Sequence, residues 1–143
     1  LDPFSGTGAI LAEASMIGLQ ALGSDFSERM IEGSRKNLAH LQQEAELHLC
    51  DVGAIAEEIG EVDGIATDPP YGRSTSTDGE GLPQLYERAF TAFHEVLRKG
   101  AKVAVVVPDM KLLDEAKGFR VAGTHQLRVH RSLTRNFCVL ERA

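Results

Sequence analysis

The alternation of strand-like and helix-like segments is the feature that most constrains how this chain can fold. Short apolar, strand-like runs recur at residues 21–25, 45–51, 62–68 and 102–108. Helical patterns separate them, at residues 9–22, 28–41, 54–59 and 82–99. Repeated strand–helix units predict a parallel sheet with helices on both faces. Two strand-like runs at 119–130 and 134–142 then predict an antiparallel hairpin. We therefore expect an α/β fold with a Rossmann-like, mostly parallel sheet that ends in a hairpin.

Capping residues support several of these boundaries. Ser27 is a suitable N-cap for the helix that follows it, and Asp109 is expected to cap a helix of about one or two turns. Gly100 would follow the helix at 82–99 as its C′ residue.

The composition narrows the class of protein. The chain has 143 residues, 43% of them hydrophobic, so it can bury the core of one domain. Its formal net charge of −6 argues against this segment alone binding a nucleic-acid backbone, which relies on Lys and Arg. Cys50 and Cys138 lie in apolar runs, which favours buried free thiols in a reducing compartment. No apolar run approaches the roughly 20 residues of a membrane span, and no signal peptide is visible. We expect a cytoplasmic protein.

The chain begins with Leu1, immediately before the loop DPFSGTG. A strand normally leads into such a loop, and at most Leu1 and Asp2 would belong to it. We therefore expect the C-terminal part of a longer protein, with its first strand truncated.

Acidic residues mark the ends of the predicted strands. Four of them share this position: Asp2, Asp25, Asp51 and Asp68. Any one could be a helix cap or a turn former, but the set is hard to explain by chance. Ligands of parallel α/β sheets bind beyond the carboxyl ends of the strands, so the acids predict a binding site there.

The glycine-rich turn DPFSGTGA predicts a site for the anionic part of a ligand. Gly6 and Gly8 allow the backbone to approach a ligand closely, and the next helix offers free N–H groups. The dinucleotide fingerprint G-x-G-x-x-G is incomplete, because Leu11 stands at its third glycine position. A P-loop lysine is also missing, so the ligand need not carry a phosphate.

Residues after the next two strands are suited to an adenosine. Asp25 can accept hydrogen bonds from both hydroxyls of a ribose. Phe26 could pack on the adenine face or belong to the core, and Asp51 could accept a hydrogen bond from the adenine amino group. S-adenosylmethionine, an adenosine with an anionic tail, fits this description.

The stretch TDPPYG predicts a rigid, acceptor-rich elbow at the end of the third strand. Pro69 and Pro70 each fix their own φ and restrict the residue before them, which directs the carbonyls of Asp68 and Pro69. Asp68 adds a carboxylate, and Tyr71 adds a flat ring. The complementary ligand is a planar base whose exocyclic NH₂ donates to Asp68 and the Pro69 carbonyl while the base stacks on Tyr71.

This elbow suits methyl transfer to nitrogen. An exocyclic amine is a poor nucleophile, because its lone pair is delocalised into the ring. Acceptors on both N–H bonds return electron density to the nitrogen and align it with a sulfonium methyl. No cluster of His, Cys and Asp has the spacing of a metal site, and the chemistry requires no metal.

Together, DPFSGTGA, SD at 24–25, CD at 50–51 and TDPPYG resemble the class I S-adenosylmethionine-dependent amino-methyltransferases. Their order covers nearly the whole chain, including the terminal hairpin. More narrowly, DPFSGTGAILAEA, DPPYGRST and HRSLTRNFCVLER resemble the archaeal tRNA guanine-N2 methyltransferases. Those enzymes modify the D-stem guanosine at tRNA position ten.

The resemblance implies roles for individual residues. Cofactor roles follow for Asp2, Gly6, Gly8, Asp25 and Asp51, and we add the neighbouring Pro3, Phe4, Phe26 and Val52. Catalytic positioning is implied for Asp68, Pro69, Pro70 and Tyr71. In this family an N-terminal THUMP-containing region helps to bind tRNA, and nothing in this chain corresponds to it. Residues 1–143 would then be the catalytic domain alone.

Basic residues near the elbow and in the tail are candidate RNA contacts. Arg73 directly follows the elbow and is the strongest candidate. The tail supplies the others, which we expect more often to line a solvated edge: Arg128, His130, Arg131 and Arg135.

Other functions remain open from the residues alone. The elbow holds any exocyclic amine, so a DNA adenine-N6 or cytosine-N4 methyltransferase is the main alternative. The loop at 69–81 leaves little room for a DNA target-recognition insertion. Protein glutamine methylation is disfavoured by an acid at position 68, and a dehydrogenase by Leu11. A non-catalytic nucleotide-binding or RNA-interaction module is the alternative from a different class.

Overall fold

The computed structural model describes residues 1–71, 81–131 and 133–143. Within these ranges the α-helices are α1 (Ala9–Met16), α2 (Glu28–His40), α3 (Ile55–Glu58) and α4 (Leu82–Val96). The strands are β1 (Leu22–Asp25), β2 (Glu46–Leu49), β3 (Val62–Thr67), β4 (Leu97–Val107), β5 (Phe119–His130) and β6 (Leu133–Arg142). Two 3₁₀ turns lie at Val52–Ala54 and Met110–Glu115. No helix in these ranges is both long enough and apolar enough to cross a bilayer.

The strands form a mixed sheet with the predicted alternation and the predicted terminal hairpin. β1 pairs with β2 in parallel. A second group has the order β3–β4–β6–β5, in which β3 and β4 are parallel and the remaining pairs are antiparallel. The predicted α/β fold is thereby confirmed.

Leu1 and Asp2 connect the two groups of strands. On one side the Asp2 N–H donates to the Leu22 carbonyl at 2.9 Å, and the Ser24 N–H donates to the Asp2 carbonyl at 3.0 Å. On the other side the Leu1 nitrogen donates to the Gly64 carbonyl at 2.9 Å, and the Ala66 N–H donates back to Leu1 at 3.0 Å. The order across the molecule is therefore β2, β1, Leu1–Asp2, β3, β4, β6, β5.

The main core lies between α4 and the strands β3, β4 and β6. α4 buries an aromatic stripe in which the Phe90 ring lies 6.0 Å from the Tyr86 ring and 5.8 Å from the Phe93 ring, centroid to centroid. Alternate residues of β4 and β6 face this stripe, as the two-residue period of a strand requires. They are Val103, Val105, Val107, Cys138 and Leu140. Cys50 and Cys138 are free thiols, as predicted, but only Cys138 is buried, whereas Cys50 is partly buried.

The helix predicted at 9–22 is wrong at its end, because α1 stops at Met16. Gly18 adopts a φ of 84°, and its N–H donates to the Ser15 carbonyl, while the Leu19 N–H donates to Ala14. A glycine in the left-handed region ends a helix in this way. The apolar pattern of the sequence extends beyond Met16, but the helix does not.

The helix predicted at 82–99 is also too long, because α4 ends at Val96 and β4 begins at Leu97. Leu97 is buried and pairs with Val62 of β3. Gly100 has the positive φ of 82° expected for it, but within an irregularity of β4 rather than at a helix end. A long-range strand pairing thus overrides the local helical pattern.

Asp109 caps the turn that follows β4, as expected, by accepting a hydrogen bond from the Lys111 N–H at 2.9 Å.

Truncation of Phe90 tests the position of the core. Phe90 is 1% exposed, so Phe90→Ala is expected to lower the free energy of unfolding by about 3–5 kcal/mol. Phe137→Ala is the matched control, since Phe137 lies on the opposite face of β6 and is 37% exposed. Urea unfolding should show a much smaller loss for the control; equal losses would contradict this assignment of the core.

Candidate active site

Two loops meet where the strand order reverses. From Leu1–Asp2 the chain proceeds outward to β1 and β2, and β3 then lies on the other side of Leu1–Asp2. Ligands of open α/β sheets bind at such a reversal. A buried hydrogen bond crosses it, in which the Thr67 hydroxyl donates to the Asp2 carboxylate at 2.7 Å. The loop after Asp2 and the elbow after Thr67 are therefore neighbours.

Asp2 lies inside this junction. Its side chain is 2% exposed and also accepts a hydrogen bond from the Phe4 N–H at 3.2 Å. Burial raises the pKa of the Asp2 carboxyl to about 6, against the opposing effect of the hydrogen bonds from Thr67 and Phe4. The negative charge of Asp68 adds to the increase. Asp2 therefore links the loop that follows it to the start of the elbow through hydrogen bonds.

The glycine turn is shaped by α2 and β1. Gly6 and Gly8 have φ values of 50° and 86°, and Gly8 is the N-cap of α1. The Ser34 hydroxyl donates to the Gly6 carbonyl at 2.8 Å, and a Cβ on Gly8 would lie 2.9 Å from that hydroxyl. A Cβ on Gly6 would meet nothing within 4 Å. The backbone at Gly6 therefore borders open space, whereas Gly8 is required for packing.

Asp25 is held in one orientation beside this turn. One carboxylate oxygen accepts from the Gly6 N–H at 3.0 Å, and the other accepts from the Ser27 N–H at 2.9 Å. Each oxygen has a further lone pair with which to accept from a ligand. Phe26, next to it, is 49% exposed and so does not belong to the core.

Asp51 is engaged by groups that the sequence did not reveal. One of its oxygens accepts from the Gly53 N–H at 2.8 Å and forms an ion pair with the Arg88 guanidinium. Arg88 is on α4, and no local pattern predicts its contact with Asp51. The side chains of Pro3 and Val52 are buried, and the partly buried Phe4 packs against the core.

The elbow contains a hydrogen bond that sequence reasoning missed. The Tyr71 hydroxyl donates to one oxygen of Asp68 at 2.5 Å. Burial raises the pKa of the Tyr71 phenol, and the hydrogen bond to Asp68 and its negative charge raise it further, with Arg135 opposing. Tyr71 is therefore a neutral donor that orients the carboxylate. The sequence had indicated a role for its ring alone.

Arg135, whose side chain is 40% exposed, also lies beside this cluster. One guanidinium nitrogen lies 3.9 Å from the second oxygen of Asp68, and the guanidinium carbon lies 5.8 Å from the centroid of the Tyr71 ring.

The other predicted basic contacts of the tail, Arg128, His130 and Arg131, are exposed at the end of β5 and after it. Arg73 lies outside the described residues.

Comparison with known proteins places the chain among methyltransferase domains. The family model described as "RMKL-like, methyltransferase domain" matches residues 1–136. A protein named tRNA (guanine(10)-N2)-dimethyltransferase from Methanothermobacter thermautotrophicus is 40% identical, over 99% of this chain and 43% of its own length. A protein named probable tRNA (guanine(10)-N2)-dimethyltransferase from Methanothermococcus thermolithotrophicus is 33% identical, over 94% of this chain and 83% of its own. The chain thus spans less than half of the first relative and most of the second.

A solved structure supports the same fold. The crystal structure of TrmN from Thermus thermophilus superposes with a TM-score of 0.87 and 24% identity, over 99% of this chain and 43% of that one. At this level of identity the likeness concerns the fold, which is that of a class I methyltransferase.

The buried carboxyl of Asp2 predicts a pH-dependent stability. Its pKa is about 6 in the folded chain against an ordinary value of 3.8, so the folded state holds the proton more tightly than the unfolded state. The stabilisation is fully present below about pH 4 and is lost as the pH rises through about 6, by roughly 3 kcal/mol. Asp2→Asn removes this titration and should be more stable than the parent chain at pH 7.

Urea unfolding of both chains from pH 4 to pH 7.5, without ligand, measures the effect. The advantage of Asp2→Asn should grow with pH, because the variant has no carboxylate to bury. A difference that is constant across this range would contradict the predicted titration.

Proposed function

The chain belongs to the family of RMKL-like methyltransferase domains, and we propose that it transfers a methyl group from S-adenosylmethionine to the exocyclic N2 amine of a guanine in tRNA. The observation that carries this proposal is the hydrogen bond between Thr67 and Asp2, which joins the acceptor-rich elbow to the glycine turn. The elbow itself accepts any exocyclic amine. Guanine and tRNA come from the names of the relatives.

The residues around the glycine turn fit the proposed cofactor. Open space at Gly6 admits a ligand close to the backbone, and Asp25 has acceptor capacity left for ribose hydroxyls. The exposed ring of Phe26 is available to an adenine. The Gly53 N–H and the Arg88 guanidinium both contact Oδ1 of Asp51, so its Oδ2 is the proposed acceptor for the adenine amino group. When bound, S-adenosylmethionine supplies an electrophilic methyl group on a sulfonium.

The elbow would activate and orient the amine. Tyr71 holds one oxygen of Asp68, so the other oxygen and the Pro69 carbonyl are the proposed acceptors of the two N–H bonds. Alignment and electrostatic stabilisation can each contribute several kcal/mol to such a step. As the C–N bond forms, the C–S bond of the sulfonium would break and leave a neutral thioether, while the nitrogen becomes cationic. Asp68 would then accept one N–H proton from this nitrogen along their hydrogen bond and pass it to water.

The partner would be tRNA, bound in large part by a region outside this chain. The net charge of −6 favours this division, since phosphate binding relies on cationic side chains. The M. thermautotrophicus relative is more than twice as long as the matching segment. We propose that a THUMP-type region supplies most of the tRNA affinity, and that the protein acts in the cytoplasm.

Mass spectrometry tests the proposed activity directly. Unmodified tRNA is incubated with the intact protein and isotope-labelled S-adenosylmethionine, digested and analysed for labelled nucleosides. Label in N2-methylated guanosine is the expected result. Label in adenosine or cytidine of DNA would favour the main alternative. Failure to bind S-adenosylmethionine or its demethylated product by calorimetry would favour a non-catalytic module.

Removal of the Asp68 charge should separate chemistry from cofactor binding. Asp68→Asn keeps the shape of the side chain but weakens an acceptor for the amine, so kcat is expected to fall about 10²–10³-fold, as for other preorganised hydrogen-bonding groups. Affinity for the demethylated cofactor, measured by calorimetry, should stay within about twofold, because the group lies across the junction from the glycine turn. Asp63→Asn, at an exposed position on β3, is the matched control with normal kinetics. Equal losses of kcat and cofactor affinity in Asp68→Asn would contradict this division of roles.

Asp25 is expected to act on the cofactor instead. Asp25→Ala removes an acceptor for the ribose and should weaken cofactor binding by about 1–3 kcal/mol. Because Asp25 also holds the Gly6 and Ser27 N–H groups, Ser34→Ala is the control. It releases the Gly6 carbonyl without removing a ligand acceptor, and should weaken binding less. Unchanged affinity in Asp25→Ala would remove Asp25 from the site.

A further inference from the structure

We propose that Arg135 is a positioning residue of this site: its guanidinium backs one face of the Tyr71 ring and draws Asp68 toward it, leaving the other ring face to the target base. The inference deepens the proposed function and rests on it. Three groups from two distant parts of the chain form the unit, namely the Asp68 carboxylate, the Tyr71 phenol and the Arg135 guanidinium.

The topology explains how a residue of the terminal hairpin reaches the elbow. β3 and β4 are parallel, so their carboxyl ends lie at one edge of the sheet. β6 runs antiparallel to β4 and pairs Asn136 with Val107, so the first residues of β6 lie at that same edge. Arg135 therefore lies beside the residues that follow Thr67.

Asn136 fixes this register. It is 4% exposed, and its amide NH₂ donates to the Val107 carbonyl at 2.9 Å and to the Pro108 carbonyl at 3.4 Å. Its carbonyl oxygen accepts from the Gln126 side chain of β5 at 2.8 Å. A satisfied polar network of this kind specifies one alignment of strands. The neighbouring Arg135 consequently has a defined position, unlike an arginine on a free strand edge.

The distances indicate how Arg135 would act. At 3.9 Å the contact with Asp68 exceeds the 2.7–2.9 Å range of a charge-assisted hydrogen bond. The attraction is therefore chiefly electrostatic, and it leaves the second oxygen of Asp68 able to accept from an amine. The guanidinium carbon, 5.8 Å from the Tyr71 centroid, is within the range of a cation–π contact. Arg135 thus touches the groups that would orient the base, not the base itself.

A planar guanidinium differs from an ammonium at such a position. Arginine stacks flat on an aromatic face, whereas lysine is a compact, strongly hydrated point charge. A phosphate contact would need only the positive charge, and lysine would supply it. The response to Arg135→Lys therefore distinguishes a backing role on Tyr71 from an RNA contact.

Steady-state kinetics of the intact protein on tRNA test the proposal, with Arg135→Gln and Arg135→Lys compared with the parent. We expect kcat to fall about tenfold or more in Arg135→Gln and to recover only in part in Arg135→Lys. The KM for tRNA and the salt dependence of kcat/KM should remain those of the parent. Arg120→Gln, at the far end of β5 where Arg120 pairs with Glu141, is the matched control and should have normal kinetics.

A phosphate contact would give the opposite pattern and overturn the proposal. KM would rise with kcat retained, the salt slope would fall by about one, and Arg135→Lys would restore activity. A double-mutant cycle adds a second criterion: Arg135→Gln should lower kcat less in a Tyr71→Leu background than in the parent, because only its contact with Asp68 then remains. Fully independent effects of the two substitutions would also overturn the proposal.

A substrate-free measurement separates this proposal from the proposed function. The ring resonances of Tyr71, in protein labelled at tyrosine, should shift in Arg135→Gln but not in Arg120→Gln. If the parent protein methylates no tRNA, the proposed function fails, whereas the Arg135 contact is still decided by this shift. Unchanged Tyr71 resonances in Arg135→Gln would overturn the contact.

Discussion

The site depends on a buried hydrogen bond between Thr67 and Asp2. It is 2.7 Å long and crosses the point where the strand order reverses. Burying the Asp2 carboxyl is unfavourable for its charged form, as its raised pKa of about 6 shows. The same bond sets the position of the glycine turn against that of the elbow. Transfer between two ligands requires their reacting atoms to be held within about half an ångström of the productive geometry. The unfavourable burial of the Asp2 carboxylate therefore occurs where a rigid junction is needed.

Four acids that occupy equivalent places in the sequence have different environments in the fold. Asp2 is buried against Thr67, and Asp25 accepts from two backbone N–H groups beside the open turn. Asp51 caps a short turn and pairs with Arg88, while Asp68 holds the Tyr71 hydroxyl. Position at a strand end brought each acid to the same edge, but only the surroundings decide which of them can face a ligand.

Local patterns were sufficient for the features that short-range forces decide. The strand–helix alternation, the terminal hairpin and the cap at Asp109 follow from periodicity and turn chemistry. The end of α1 was also readable, since Gly18, two residues beyond Met16, is suited to a positive φ. The boundary between α4 and β4 was not, because the pairing of Leu97 with Val62 is a tertiary effect. The contacts of Arg88 and Arg135 have the same character, since each joins an arginine to an acid from a remote segment.

The terminal hairpin distinguishes the fold class, and it also places residues beside the candidate site. β5 runs in the same direction as β3 and β4, because it is antiparallel to β6. The end of β5 and the start of β6 consequently lie at the edge of the sheet that carries the elbow, together with the exposed Arg128, His130 and Arg131. In a chain with a net charge of −6, Arg128 and Arg131 place positive charges at the hairpin side of this edge. Under the proposed function, an RNA bound at the elbow would lie beside this edge, and Arg135, 5.8 Å from the centroid of the Tyr71 ring, would act on the geometry of the site.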